Sequence, residues 1–261
     1  MILSRRIALN GAQLDEVYGR IVIRGIEPGV PKESLTAVNL MGGFGQRVTS
    51  QHWETMDVAV RFAIDVPKTD LIARRQIWEA VCRWAMSGEG GWLTVNFITD
   101  RRFFVDKVIL PAPGDLWNWM DEYTITFRAY HIPFWQDEYP AVATKTGSTG
   151  GTVTLMVNGQ FRTVLDAEFK NTSGSSMSTF SISAGGNEIS LTGLALANNE
   201  TLKIHHGTDG ILRITEGGRN AYGKQSTGGA NDLYVNPGNV SVTVTAQRSG
   251  NLTVSAIGRY S

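Results

Sequence analysis

Runs of alternating apolar and polar residues recur along almost the whole chain, and they constrain its fold more than any other feature. Such alternation places every second side chain on one face of a β-strand. Residues 56–65 are a clear case, with Val58, Val60 and Phe62 on one face. Two Asn-Gly pairs, Asn10-Gly11 and Asn158-Gly159, match a favoured hairpin turn. The pattern predicts a mostly β protein with antiparallel strands.

The predicted strands are short and separated by turn residues. In the first half we expect them at 6–9, 20–24, 56–65, 92–98, 102–110 and 117–130. In the second half we expect them at 152–157, 164–171, 177–184, 188–192, 200–205, 211–216, 233–235, 240–246 and 252–260. Residues 32–52 show no clear period, and Gly42-Gly43-Phe44-Gly45 within them is typical of a loop. The spacing in the second half is that of a β-sandwich or jelly roll.

One segment, residues 69–87, has helical periodicity. Thr69 or Asp70 can cap its first turn, and glycines follow its end. An apolar stripe at helical spacing predicts the face that packs on the strands: Ala73, Ile77, Ala80, Val81, Trp84 and Ala85. Charged and polar residues are expected largely on the other side: Arg74, Arg75, Gln76, Glu79 and Arg83.

The composition changes near the middle of the chain. All seven tryptophans lie at or before Trp135, and the Gly/Ser/Thr-rich residues 145–151 are typical of a flexible connector. We therefore expect an α+β domain at 1–138, with one helix on antiparallel strands, a linker at 139–151, and an all-β sandwich at 152–261. The 24 basic and 24 acidic residues balance, which argues against nucleic acid as the main ligand.

Searches for catalytic or metal-binding patterns predict no catalytic, cofactor-binding or metal site. The single cysteine, Cys82, lies in the apolar helical stretch, and we expect it to be a small core residue. Residues 218–225 nearly match a phosphate-binding loop, but Gln225 replaces the required Ser or Thr and no helix follows. Adjacent strand residues point to opposite faces, so His205 and His206 are poorly placed to share a metal.

Paired acids and exposed rings leave weaker alternatives open. Asp121-Glu122 and Asp137-Glu138 could serve a glycosidase only if two carboxylates faced each other, and we interpret them as loop or strand-end charges. A carbohydrate-binding module on a host surface is the main functional rival. Sugar platforms use exposed rings, tryptophan above all, and the second half has no tryptophan. Several of its few rings lie in alternating strands, where we expect core positions. The rings of the second half are Tyr139, Phe161, Phe169, Phe180, Tyr222, Tyr234 and Tyr260.

Two further features concern location. The first residues lack the apolar core of a signal peptide, and no run of about 18 apolar residues occurs. We therefore expect folding in a cytosol without membrane insertion.

The run 102–135 resembles the end of the first domain in distal tail proteins (Dit) of long, non-contractile-tailed phages. There an alternating strand, here 123–130, leads into a Pro-aromatic-Trp corner, here Pro133-Phe134-Trp135. A helix before a strand hairpin also fits the family, as do residues 232–240, with Pro237-Gly238-Asn239, and the closing Ile257-Gly258-Arg259-Tyr260.

The resemblance implies a virion structural protein without a catalytic site or cofactor. In that family the first domain forms a hexameric ring that continues the tail tube, and a galectin-like second domain decorates its outside. The implied partners are other copies of the chain, the tail tube protein, the tape-measure protein and the tail-tip hub or fibre protein. The implied location is the tail tip of the virion, after assembly in the host cytoplasm.

Overall fold

The computed structural model describes residues 6–14, 20–39, 46–111, 120–207, 209–226 and 230–261. The chain divides into two compact units, Met1–Trp135 with Ser261, and Gln136–Tyr260. Strands dominate both units, and one α-helix is present among the described residues. The predicted mostly β fold with a single main helix is therefore confirmed. No helix among these residues is long and apolar enough to span a membrane.

In its described residues, the first unit contains short strands and the helix that lies on them. In chain order these are β1 (Ile7–Leu9), β2 (Ala12–Gln13), β3 (Ile21–Pro28), β4 (Glu33–Asn39), β5 (Gln46–Trp53), β6 (Met56–Ile64), α1 (Leu71–Met86), β7 (Gly91–Val95), β8 (Ile98–Val105), β9 (Lys107–Ile109) and β10 (Tyr123–Ala129). One sheet has the order β2-β1-β7-β8 and a second the order β3-β6-β10-β9, while β4 and β5 pair only with each other. All of these pairings are antiparallel.

The core of this unit lies on one face of the β3-β6-β10-β9 sheet. The alternating residues of β6 and β10 predicted to face inward are buried. Rings from the sheet and from α1 meet there, with Trp78 5.0 Å from Tyr123 and 6.2 Å from Phe62 between ring centroids. Burying each such side chain stabilises the fold by roughly 1.5–3 kcal/mol, so these rings fix α1 on the sheet.

Local structure confirms several sequence signals in this unit. Asn10 and Gly11 have φ of 50° and 84°, as a type I′ hairpin turn between β1 and β2 requires. The Asp70 side chain caps α1 by accepting a hydrogen bond from the Ala73 N–H at 3.1 Å.

Two predicted strands end earlier than their alternation indicates. The predicted strand at 92–98 would place Phe97 on the same face as Val95, but β7 ends at Val95 and Phe97 lies in a turn, 50% exposed. The predicted strand at 102–110 is interrupted at Asp106, where the chain passes from pairing with β7 to pairing with β10. The predicted loop at 42–45, together with Trp117 and Trp119, lies outside the described residues.

The second unit is built from strands and one short 3₁₀ turn at Tyr222–Lys224. Strand β11 (Trp135–Asp137) begins at the last residue of the first unit. The others are β12 (Ala141–Val157), β13 (Thr163–Asn171), β14 (Met177–Ala184), β15 (Asn187–Leu196), β16 (Thr201–His206), β17 (Leu212–Glu216), β18 (Arg219–Asn220), β19 (Tyr234–Val235), β20 (Gly238–Ala256) and β21 (Arg259–Tyr260).

Strand β20 joins the two layers of this sandwich. Its first half pairs with β14 and its second half with β13, while β12 runs along its other side. The strand order on the path through β20 is β15-β14-β20-β13-β16-β17-β18, and inward side chains from both halves form one apolar cluster. The two strands predicted at 240–246 and 252–260 are thus largely one strand, which continues past Gly250.

The predicted linker at 139–151 is wrong for most of its length. Residues from Ala141 onward form β12 and pair with β20. Thr and Val favour extended backbone, and the glycines sit where the register with β20 shifts, between Lys145 and Gly150. Composition alone indicated flexibility because it does not record this partner.

The hairpin predicted at Asn158-Gly159 is also wrong. Strand β12 pairs with β20 and not with β13, so no tight turn joins β12 to the next strand. The chain instead runs beside β21, where the Gln160 N–H donates to the Arg259 carbonyl at 2.8 Å.

Candidate assembly surface

The β3-β6-β10-β9 sheet has one buried face and one polar face. On the polar face the central strands present short or charged side chains in register, with Thr124 opposite Arg61, Thr126 opposite Ala59, and Arg128 opposite Asp57. These positions are exposed or half-buried, whereas their neighbours along each strand are buried. The sheet therefore leaves a flat polar surface uncovered within the described part of the unit.

The charged side chains of this polar face form ion pairs within one copy of the chain, and Arg61 pairs with two acidic side chains. Arg128 donates to both carboxylate oxygens of Asp57 at 2.7 Å, which holds the pKa of Arg128 above its ordinary value. Arg61 contacts Glu122 at 3.0 Å and Glu27 at 2.9 Å. The bidentate pair gives geometric order, although such solvent-exposed pairs add little stability.

The sheet has one long open edge, on β3. Asp65 N–H donates to the Arg20 carbonyl, and antiparallel pairing alternates, so the backbone groups of Ile21 and Ile23 point away from β6. No other strand among the described residues pairs with this side. The opposite edge, β9, is only three residues long, and its Val108 N–H already donates to Glu89 at 3.0 Å.

The edge strand β3 carries two features typical of edges. Pro28 ends it, and proline is tolerated in sheets mainly at edge positions. A register shift between Ile23 and Gly25 bends it, and a Cβ on Gly25 would lie 2.8 Å from the Arg61 guanidinium. Such a register shift limits uncontrolled pairing with other chains. The backbone groups before and after the shift can still form hydrogen bonds with a partner strand.

The β4–β5 ribbon follows directly after β3. Its strands pair only with each other, and none of its described side chains is buried. Its base is held by the Glu54 N–H, which donates to the Lys32 carbonyl at 2.8 Å, and by the Trp53 ring, 5.0 Å from the Phe134 ring. A two-stranded ribbon without a core is marginally stable alone in water, so this segment gains most from a partner.

Arg74 supports the sheet from its buried side and corrects the helix prediction. It was expected on the polar face of α1, but it is only 3% exposed. Its guanidinium donates to the carbonyls of Val66 and Met120 at 2.9 and 3.0 Å and to the Tyr123 hydroxyl at 3.1 Å. It therefore ties the helix to segments next to both central strands of the sheet.

In the second unit, the histidine pair separates as predicted, but His206 has a specific setting. Its Nδ1 lies 2.7 Å from Asp166 and its Nε2 lies 2.7 Å from Asp232. Burial alone would lower the pKa of His206, yet the hydrogen bonds to Asp166 and Asp232 outweigh it and raise the pKa to about 9. The imidazolium therefore connects three separate segments of the chain. The sequence did not indicate this bridge, because Asp166 and Asp232 are far from His206 along the chain.

Several other candidate positions lie in ion pairs of their own. Lys224, in the segment that nearly matches a phosphate-binding loop, forms an ion pair with the buried Glu216 carboxylate. Asp121 pairs with Lys68 at 2.6 Å. Among the described residues, no group of three or more His, Cys, Asp or Glu side chains could hold a metal. Cys82, predicted to be a core residue, is only half-buried, and burial raises the pKa of its thiol to about 11.

The rings of the second unit divide between core and surface. Phe169 and Phe180 pack together in the core, with centroids 5.2 Å apart. Tyr139 is 75% exposed and Tyr222 45% exposed.

Comparisons with solved structures identify a shared architecture. The Dit protein of phage SPP1, described as a paradigm of the hub adsorption apparatus in phages infecting Gram-positive bacteria, matches with a TM-score of 0.65 at 11% identity, covering 97% of this chain and 98% of that chain. Chains of the phage P2 baseplate in its activated conformation, with Ca or Sr, match at 9% identity and a TM-score of 0.47. They cover 97% of this chain and 98% or 97% of those chains.

No protein-family model and no curated protein sequence matches this chain. The SPP1 match shows that the chain has the fold of a Dit protein over nearly its whole length. The resemblance to distal tail proteins is confirmed at the level of the fold.

Proposed function

We propose that this chain is a structural subunit of a long, non-contractile phage tail tip, where it forms a ring that joins the tail tube to the adhesion apparatus. The observation that carries the proposal is the fold shared with SPP1 Dit over 97% of this chain and 98% of that one. The polar sheet face and the open β3 edge supply what ring assembly requires.

The ring forms by head-to-tail sheet extension. The outer edge of β3 pairs with a strand of the next copy, and repetition of this heterologous contact closes a ring of six. The polar face with the Arg128–Asp57 and Arg61–Glu122 pairs then lines the central channel, where these paired charges remain hydrated. The β4–β5 ribbon leaves the sheet at the β3 edge and covers the neighbouring copy.

The partners follow from this position in the tail. One end of the ring meets the tail tube protein, the channel admits the tape-measure protein, and the other end meets the hub or fibre protein. The 1–138 domain makes the ring and the second domain decorates its outside. The role is structural, without catalysis or cofactor, in the virion after assembly in the host cytoplasm.

The alternative of a carbohydrate-binding adhesion module stays a prediction. Its support is the exposure of the Tyr139 and Tyr222 rings. A glycan array with the full chain tests it directly, since binding to a host-surface glycan would require a shallow site around exposed rings.

Mass photometry of the full chain tests the ring at its β3 edge. We expect a closed oligomer of uniform mass, reduced to smaller species by Ile23→Pro, because proline removes an outward N–H at this edge. Ile23→Val keeps the N–H and should keep the wild-type mass. A chain that stays monomeric across micromolar concentrations, even with tail partners, would contradict the ring.

A further inference from the structure

The second unit leaves one of its strand edges open. Strand β12 is 17 residues long and pairs with β20 along one side only; no other described strand pairs with it. The edge at β15 is partly covered, because the N–H groups of Ser226 and Ala230 donate to the carbonyls of Ser190 and Glu188, both at 2.8 Å. The other end of the strand order is β18, which has only two residues and pairs with β17.

The open edge also lacks the devices that usually protect one. Proteins blunt edges with charges, proline, bulges or short strands. The register shifts between Lys145 and Gly150 interrupt the first part of β12, but residues 146–161 contain no charged side chain and no proline. An uninterrupted, uncharged stretch remains from Thr152 to Val157.

The two faces of this stretch have different character. Val153, Leu155 and Val157 point into the core and are at most 9% exposed. Thr152 and Thr154 are exposed on the other face, together with Met156, which is 58% exposed.

The exposed side of the stretch belongs to a hydroxyl-bearing surface. Thr152 lies opposite Thr243 of β20, with their hydroxyls 3.1 Å apart, and Thr154 lies opposite Ser241. Ser183 of β14 continues the row on the far side of Thr243. Within Thr152–Val157 no side chain can form an ion pair with a partner strand, and the nearest charge on β12 is Lys145, whose ammonium lies beside Gly151. An uncharged strand of the same kind therefore fits this stretch.

We propose that the Thr152–Val157 edge of β12 docks on the same edge of a second copy of the chain, in antiparallel pairing about a twofold axis at Thr154. This register places Thr154 opposite itself, Thr152 opposite Met156, and Val153 opposite Leu155. Apolar residues then continue the core face and hydroxyls continue the outer face, with no like charges opposed. The contact is isologous, so it closes after two copies.

This contact is independent of the β3 contact that closes the ring. The mass of the assembly formed by the full chain distinguishes the two contacts. If both exist, two rings pair through β12; if only β12 pairing exists, the chain is a dimer. In either case, loss of the β12 contact halves the mass.

Two pairs of lysine variants test the contact by sedimentation velocity at concentrations from micromolar upward. Thr154→Lys and Thr152→Lys place a charge on the edge strand. Ser241→Lys and Thr243→Lys place the same charge on the same face, one strand further in. Thr152→Lys and Thr243→Lys remove the same hydroxyl contact, so their cost to the fold is matched.

We expect both edge variants to halve the mass of the largest wild-type species, while both β20 variants leave it unchanged. Far-UV circular dichroism confirms that each variant folds. Equal masses for edge and β20 variants, or a wild-type species that none of the four changes, would overturn the proposal.

Discussion

At the residue scale, two charged side chains carry much of the organisation, and neither was assigned its role from the sequence. On a helical projection Arg74 lies on the polar face of α1. It is nevertheless buried, because its guanidinium donates hydrogen bonds to backbone carbonyls outside the helix. His206 was correctly separated from His205 by strand alternation. Its acidic partners, Asp166 and Asp232, are distant in sequence, so no motif linked them. Periodicity predicts which face a residue occupies but not which polar atoms meet it there.

The His206 bridge predicts a pH dependence for the second unit. The raised pKa of about 9 means that its stabilisation is complete below the ordinary histidine pKa of about 6.5 and is lost as the pH rises through 9. We expect the free energy of unfolding to fall by at most about 3 kcal/mol over this interval, and His206→Gln to flatten the profile.

The tryptophan distribution allows the two units to be followed separately. Trp fluorescence reports the first unit, because no tryptophan lies beyond Trp135, while far-UV circular dichroism reports both.

The control for the pH dependence is His205→Gln, because this neighbouring histidine lies outside the bridge. Identical pH profiles for wild type and His206→Gln would show that the bridge does not stabilise the fold.

At the element scale, alternation located most strands, and the errors occur where pairing decides the outcome. The strands at 56–65 and 177–184 lie almost where they were expected. The 139–151 segment was assigned as a linker because its glycines suggest flexibility, yet β20 holds most of it as strand. The prediction of two strands in place of β20 was wrong for the same reason. Ser249-Gly250 is typical of a turn, but the neighbouring strands hold it in extended conformation.

Gly250 is the position where this long strand depends on a missing side chain. A Cβ there would lie 2.3 Å from the Phe169 ring and 2.4 Å from the Lys170 carbonyl. Gly250→Ala should therefore destabilise the second unit by roughly 1–3 kcal/mol through overcrowding. Gly223→Ala is the control, because a Cβ there meets nothing within 4 Å.

Urea unfolding followed by far-UV circular dichroism measures the difference between these two variants. Trp fluorescence should be unchanged in both, because the first unit is not affected. Equal midpoints for the two variants would contradict the close packing at Gly250.

At the scale of the whole molecule, the sequence predicted the fold class and the resemblance to distal tail proteins, and the shared fold with SPP1 Dit confirms both at that level. The assembly surface was not predictable residue by residue. Strand edges are defined only once the order β3-β6-β10-β9 is known, and the 32–52 region that lacked periodicity contains most of the ribbon, none of whose described side chains is buried. Sequence reports burial well, but an assembly surface is made of what the monomer leaves unburied.

The central claim is that copies of this chain close into a ring through the β3 edge. Electron microscopy of the purified full chain in negative stain tests it most directly. If the β3 edge closes the ring, closed rings of six with a central channel are expected. These rings should be lost in Ile23→Pro and retained in Ile23→Val. Isolated particles of single-chain size in the wild-type sample, or rings that persist unchanged in Ile23→Pro, would contradict it.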